Sequence, residues 1–315
     1  MEHSGENAPP TTAEPAAATP STEAQEPTPA APSTEAASAP ERPSDEAILN
    51  QQNHIRAGIA QIAPYIGEKA PLASLMAEYM HGNEVFVRKI QNLEHSYSHI
   101  RRTRGDGNCF FRAFIFSYLE NLLNTLDKAE CSRILTCVQS WRKKLVDVGF
   151  QELVFEDAME LLLQQVNGIL HGNIGQEALE GAFQDDMISN TLVFLMRLIT
   201  SAEVQRREDH FLPFILGMYD EPPVSVSAFT QRYVEPMAEE SDNIHIVALT
   251  DALQVPVTVV YLDRSESFGA PSDSGDMSAN VHQFIPSECG PPNEVQARVH
   301  VLYRPGHYDI LYRRS

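Results

Sequence analysis

Thr103-Arg104-Gly105-Asp106-Gly107-Asn108-Cys109-Phe110-Phe111-Arg112-Ala113-Phe114 joins a turn to a helix and puts a thiol at the joint. The first half carries two glycines, an aspartate and an asparagine, residues that reverse a chain readily. From Cys109 onward, Phe110, Ala113, Phe114, Ser117, Tyr118 and Leu122 make a helix that is apolar round most of its circumference and therefore expected to be buried. A helix start leaves N–H groups unpaired at the positive end of the dipole, which favours a thiolate. A thiolate attacks carbonyl carbon. The N–H groups around Gly107 are placed to receive a developing oxyanion. The plainer reading of Cys109 is a small apolar core residue, the usual fate of a free thiol. Cys131, Cys137 and Cys289 sit at no such junction, and the first two fall inside helical pattern, so they read as packing residues.

Outward from this stretch, the pattern is mostly helical. Ser44 caps a first turn, and Ile48, Ile55, Ile59 and Ile62 recur at helical spacing until Pro64. Further helices are expected after Pro71, around 85–93, and over 130–147, 156–170, 186–207 and 242–253. Strands come late. Val257–Leu262 is a continuous β-branched run, and Val299–Tyr303 and Tyr308–Tyr312 flank Arg304-Pro305-Gly306 as a hairpin. Residues 264–280, rich in Ser, Gly and Pro, read as a long connection inside the sheet region. The fold class is α+β: helix-rich, with a small C-terminal sheet.

The N-terminal stretch differs. Before Ile48 there is no Val, Ile, Leu, Phe, Tyr or Trp, and nine of the 21 prolines lie in residues 1–44. Such a segment cannot bury enough apolar surface to offset its ordering entropy, so 1–44 is read as a disordered Pro/Ala/Glu-rich arm and 45–315 as the folded domain. The arm holds seven glutamates against Arg42 alone and so carries −6 of the formal charge of −20, leaving about −14 on the domain. A balance of 43 acids against 23 cations argues against nucleic acid as a partner, because phosphate backbones are held by basic surface. With no apolar leader and no run of about 18 apolar residues, a membrane partner is not expected either. Four cysteines without paired CxxC spacing suggest reduced thiols and no zinc site, so cytoplasmic or nuclear localisation is expected, with no cofactor and no metal.

A nucleophilic cysteine needs a base. Of 11 histidines, His307 has a partner at fixed geometry: it opens the last strand, and Asp309 two residues on shares its face by period-two alternation. Asp309 would orient the imidazole and favour its protonated form, the role of a third triad member. An exposed hairpin with one His and one Asp on its wet face is the alternative that spacing leaves open. His245, His282 and His300 show no comparable partner and read as core or surface residues.

Thr103–Phe114 resembles the nucleophile motif of OTU-family cysteine proteases, specifically the otubains, and Tyr303-Arg304-Pro305-Gly306-His307-Tyr308-Asp309-Ile310-Leu311-Tyr312 resembles their histidine motif. Val234–Ile246 is similar to an otubain segment that precedes and begins a helix. The resemblance spans about residues 46–315 and leaves the arm outside. It implies a papain-like OTU fold and a deubiquitinase that cleaves the isopeptide bond between ubiquitin's C-terminal glycine and a lysine, in chains that direct proteins to the proteasome. Carried over by position, it makes Cys109 the nucleophile, His307 the general base and then acid, Asp309 the residue orienting His307, and Asp106 a turn acid that shapes the oxyanion pocket through backbone N–H groups. Gly105 departs from many relatives but is expected to lie outside the chemistry. The implied partners are ubiquitin, polyubiquitin chains and ubiquitin-conjugating enzymes. Two other readings stay open: a non-catalytic inhibitor of conjugating enzymes that acts by binding, and a hydrolase for another ubiquitin-like modifier. The acidic run Glu239-Glu240 with Asp242 would either attract ubiquitin's arginine-bearing tail or remain simply solvated.

Overall fold

The computed structural model describes residues 63–80, 84–218, 223–263, 278–286, 289–290 and 295–314, together with Gly58. The arm read over 1–44, the domain start at 45, the helix expected over 48–62 apart from Gly58, and most of the 264–280 connection lie outside the described residues.

The chain enters through a two-residue strand, β1 (Ala70–Pro71), a 3-10 turn (Leu72–Leu75), and two helices, α1 (Met76–Tyr79) and α2 (Glu84–Leu93). Strand β2 (Tyr97–Arg101) leads into the nucleophile turn and α3 (Cys109–Thr125). Helices α4 (Lys128–Val148), α5 (Glu152–Leu170), α6 (Gln176–Gln184), α7 (Asp186–Arg206), α8 (Glu208–Met218), α9 (Val226–Tyr233) and α10 (Asn243–Leu253) follow. The chain closes with β3 (Val257–Tyr261), β4 (Asn280–Phe284), β5 (Val299–Arg304) and β6 (His307–Arg313).

The six strands form one mixed sheet in the order β1-β2-β6-β5-β3-β4, with β3 and β5 parallel and every other pair antiparallel. The expected C-terminal hairpin is β5–β6, turned by Pro305-Gly306 with Gly306 at φ +74, a value that suits glycine. Alternation sorts this sheet. Val257, Val259, Val301, Tyr308 and Ile310 enter the large core shared with the helices, while Val260, Leu302 and Leu311 enter a second cluster closed by Leu72, Leu75, Ile90 and Leu93 of the N-terminal elements. His307 and Asp309 therefore project toward the side that the N-terminal elements cover.

α3 and α7 run through the main core, buried along most of their length. α7 is long and apolar enough to cross a membrane by composition, yet 72% of its apolar window is buried inside the fold, as expected of a core helix. Three expectations are extended. Strand β2 appears where only the approach to a turn was read. β4 begins within what was read as connection, and α6, α8 and α9 add to the helices.

Candidate active site

Cys109 is the first residue of α3, and the turn before it is held from three sides. Asp106 accepts the Asn108 N–H through Oδ1 at 3.0 Å. Both of its oxygens lie 2.8 Å from Nη1 of Arg112, a fully buried arginine that also donates to Ser189 Oγ (3.1 Å) and Asn190 Oδ1 (2.9 Å). The Asp106 carboxylate thus ties the backbone of the turn to a buried arginine. Gly107 adopts φ +76, and a Cβ there would lie 1.9 Å from the Ala238 carbonyl oxygen, so only glycine fits. Asn108 makes no N-terminal side-chain cap. Its Oδ1 instead accepts the Ala238 N–H at 2.9 Å and two donors from Arg197.

Arg197 joins these pieces. It is fully buried, donates Nη2 to Gly107 O (2.9 Å), Asn108 Oδ1 (2.8 Å) and Glu239 O (2.7 Å), and donates Nη1 to Val234 O (2.9 Å). Burial pulls its pKa down to about 10, against the favourable charges of Glu239, Asp106 and Cys109. Neither Arg197 nor Arg112 was singled out from sequence. The available signal was a lone arginine in an otherwise apolar helix, Phe194-Leu195-Met196-Arg197-Leu198-Ile199, because a buried cation requires partners.

His307 comes from the opposite side, at the start of β6. Its Nε2 lies 3.0 Å from Asp309 Oδ1, and the Cys109 sulfur lies near enough for its charge to act on the ring. The three groups therefore stand in the order thiol, imidazole, carboxylate. Burial alone would depress His307. The Asp309 hydrogen bond and the charge of Cys109 outweigh that and raise its pKa to about 10. Asp309 is completely buried, which by itself would raise its pKa. The hydrogen bond and charge of His307, the charge of Arg304 and the Thr103 N–H (3.0 Å from Oδ1) hold it at about 2 instead. An imidazolium beside sulfur complements a thiolate, the form that attacks carbonyl carbon.

Two sequence readings are corrected here. Gly105 does not lie outside the site: a Cβ on it would sit 3.7 Å from His307 Nδ1 and 3.9 Å from Cε1, so this position packs against the imidazole edge. His245 does have a carboxylate partner. Its Nδ1 lies 2.8 Å from Asp242 Oδ1 in a reciprocal cap of α10, and its Nε2 bonds Tyr233 O at 2.9 Å. That pair is structural capping of a buried His245 by a partly exposed Asp242, which commits Asp242 to the helix start. Glu240 stays near the site, with carboxylate oxygens 3.5 and 3.6 Å from where a Gly306 Cβ would be.

The other thiols lack these features. Cys131 and Cys137 are pushed up by burial, and Cys137 and Cys289 face backbone carbonyls. A cleft of about 1600 Å³ opens elsewhere, between α4, α7 and the approach to β5, and is lined by Arg133, Trp141, Arg206 and Arg298. None of Cys109, His307 or Asp309 lines it. Among the described residues, no group of three or more His, Cys, Asp or Glu is placed to hold a metal ion.

Comparison with known proteins converges on one family. Residues 59–313 match the model described as Peptidase C65 Otubain. The chain is 45% identical over 255 residues to the OVARIAN TUMOR DOMAIN-containing deubiquitinating enzyme 1 of Arabidopsis thaliana, covering 79% of this chain and 81% of that one. It is 38% identical over 269 residues to the human ubiquitin thioesterase OTUB1, covering 85% and 90%. A solved structure described as h/ceOTUB1-ubiquitin aldehyde-UBC13~Ub superposes with a TM-score of 0.73 at 29% identity, over 86% of this chain and 99% of that one. With matching sequence, fold and order of motifs, the chain belongs to the otubain family of cysteine peptidases.

Proposed function

We propose that this protein is a cysteine-type deubiquitinase that hydrolyses the isopeptide bond between ubiquitin's C-terminal glycine and a lysine. The observation that carries the proposal is that an otubain framework brings Cys109 to His307 and hydrogen-bonds His307 to Asp309. The Cys109 thiolate attacks the glycine carbonyl carbon, and the carbonyl electrons move onto oxygen, which N–H groups of the Asp106–Cys109 turn stabilise. His307 protonates the departing lysine amine as the C–N bond breaks, leaving a thioester and a neutral imidazole. That imidazole then takes a proton from water, whose oxygen attacks the thioester. Ubiquitin leaves with a free carboxylate, the sulfur departs as thiolate, and His307 is again protonated. Asp309 keeps Nε2 engaged throughout, and Asp106 holds the turn without touching the reacting atoms.

Relatives are named for thioesterase or deubiquitinating activity, and the solved neighbours hold ubiquitin aldehyde together with UBC13~Ub or UBCH5B~Ub. These names support ubiquitin and ubiquitin-conjugating enzymes as partners here. A wholly non-catalytic inhibitor is not favoured, because this chain keeps all three reacting groups together. Cleavage of proteasome-directing chains and residence in cytoplasm or nucleus belong to the same proposal, the first tested with a panel of linkage-defined diubiquitins.

The primary test is reaction with a ubiquitin C-terminal electrophile. Wild-type protein should be labelled at Cys109, and Cys109→Ser should be unlabelled while remaining folded, since Phe110, Phe114 and Tyr118 anchor α3 in the core. Folded wild-type protein left unlabelled at Cys109 would sink the proposal.

A further inference from the structure

Every acceptor position of Asp309 is occupied. Oδ1 faces His307 Nε2 and the Thr103 N–H, both at 3.0 Å. Oδ2 takes Arg304 Nη2 at 2.6 Å and Arg102 Nη1 at 3.4 Å. The far ends of both guanidiniums converge on one further carboxylate. Arg304 Nη1 lies 2.9 Å from Oε2 of Glu78, and Arg102 Nη2 pairs with its Oε1. Two acids and two guanidiniums thus close a ring that ties β6, β5 and the end of β2 to the single-turn helix α1.

Exposed ion pairs taken singly contribute about 0–1 kcal/mol, and Glu78, 46% exposed, could be dismissed on that ground. The ring argues otherwise. Exposure falls from Glu78 through Arg102 (32%) and Arg304 (19%) to Asp309 (0%), so a half-exposed carboxylate completes the charge balance of a buried one. Without Glu78, two cations would face one carboxylate oxygen with no counter-charge for the second.

We propose that Glu78 is a positioning residue of the active site, holding Arg304 and Arg102 on Oδ2 of Asp309 so that Oδ1 stays aligned on His307. It never touches substrate; it acts through the two arginines. The inference rests on the deubiquitinase reading and adds a residue from the N-terminal elements to the site. Its electrostatic consequence has a definite sign. The charged or titratable groups around His307 are Asp309 on its own strand, Cys109 from α3 and Glu240 beside Gly306. Arg304 and Arg102 stand behind Asp309, with Tyr79 beside Arg304. Neutralising Glu78 makes this surrounding more positive, which disfavours the imidazolium and favours a thiolate. Both limbs of a pH profile then move toward acid.

The test compares full-length wild type, Glu78→Gln and Glu78→Asp in two assays across pH 5 to 11. One is hydrolysis of a ubiquitin C-terminal amide substrate. The other is alkylation of Cys109 by iodoacetamide, followed by mass spectrometry of the Cys109 peptide. Glu78→Gln should lower kcat about tenfold with KM little changed, as expected of a misaligned base. Its alkaline limb in hydrolysis should move about half a pH unit to the acid side, and the inflections of the alkylation profile should move the same way. Glu78→Asp, which keeps the charge on a shorter stem, should restore the limb position more than it restores kcat. Profiles that superimpose on wild type, or a fall in activity that only tracks the folded fraction, overturn the proposal. If Glu78→Gln is less stable, both assays are run at a temperature where circular dichroism shows it folded at every pH, and the limb position then decides. A wild type inert toward ubiquitin refutes the deubiquitinase reading by itself, and the alkylation profile, which needs no ubiquitin, still judges Glu78.

Discussion

Replacing Arg197 with methionine tests whether the nucleophile turn is held from beneath. The substitution keeps the unbranched aliphatic stem but loses the guanidinium, and with it the contact over Phe111, whose ring centroid lies 4.7 Å from the guanidinium carbon. It removes the donors to Gly107 O, Val234 O, Glu239 O and Asn108 Oδ1. Asn108 Oδ1 still accepts the Ala238 N–H, but three carbonyls lose a charged donor. Each buried acceptor left unmade costs about 1–3 kcal/mol. Part of that is offset, because the burial that lowers the Arg197 pKa to about 10 is itself a penalty that methionine does not bear. The net loss is therefore about 3–5 kcal/mol, near the range for breaking one side of a buried charged contact. For a domain of this size that lowers Tm by about 10 °C. Thermal unfolding followed by circular dichroism reads the stability, and the labelling rate with a ubiquitin electrophile at a temperature where both proteins are folded reads the site. Arg197→Lys keeps the charge but offers one ammonium where a fork spans four acceptors, so it should recover less than half of either loss. A methionine variant with Tm within about 2 °C of wild type and an unchanged labelling rate would refute the account of Arg197 as the tie between turn and loop.

Two further outcomes are expected. Gly107→Ala meets a positive φ and a Cβ position 1.9 Å from Ala238 O, so the turn must move, and electrophile labelling should fall about a hundredfold in protein that still shows the wild-type helical signal; unchanged labelling would contradict the steric argument. His307, with its pKa raised to about 10, contributes stability that is complete below the unfolded value of about 6.5 and is lost as pH rises toward 10. Wild-type Tm should therefore fall across that window more steeply than Tm of His307→Asn, by on the order of a few kcal/mol of stability at the alkaline end, and parallel curves would be evidence against a charged His307 in the folded state.

Much of this architecture was legible because it rests on strong local patterns. The apolar run after Cys109 makes a core helix, and two β-branched runs around Pro305-Gly306 make a hairpin whose alternation puts His307 and Asp309 together. Strand β2 was missed for a physical reason. Its pairing with β6 shifts register between Tyr97 and His99, so Tyr97, Ile100 and Arg101 are buried out of period-two step. Strand β4 was missed because it is an edge strand, exposed over Val281–Gln283, and carries no inward stripe to detect. Helix α8 was obscured by Pro213 in its interior. In the site, Cys109, His307 and Asp309 were readable from motif and spacing, whereas Arg197 and Glu78 were not. Each of those two acts on groups tens of residues away in sequence, and only the fold brings those groups within reach.

The charge of −20 says little about the field at Cys109. Four arginines stand around the site, and each is matched locally: Arg112 to Asp106, Arg102 and Arg304 to Asp309 and Glu78, and Arg197 mainly to backbone carbonyls. With those pairs closed, the charges nearest the nucleophile are the sulfur, the imidazole and the cation of Arg197 beneath the turn, with the carboxylates of Glu239 and Glu240 close by. The cation of Arg197 therefore lies beneath the turn where the oxyanion forms, partly balanced by Glu239. The location of the chemistry follows the same logic. The 1600 Å³ cleft, where a small-molecule site would be sought first, holds none of the three reacting groups. Cys109 is only 6% exposed and His307 lies at a hairpin turn.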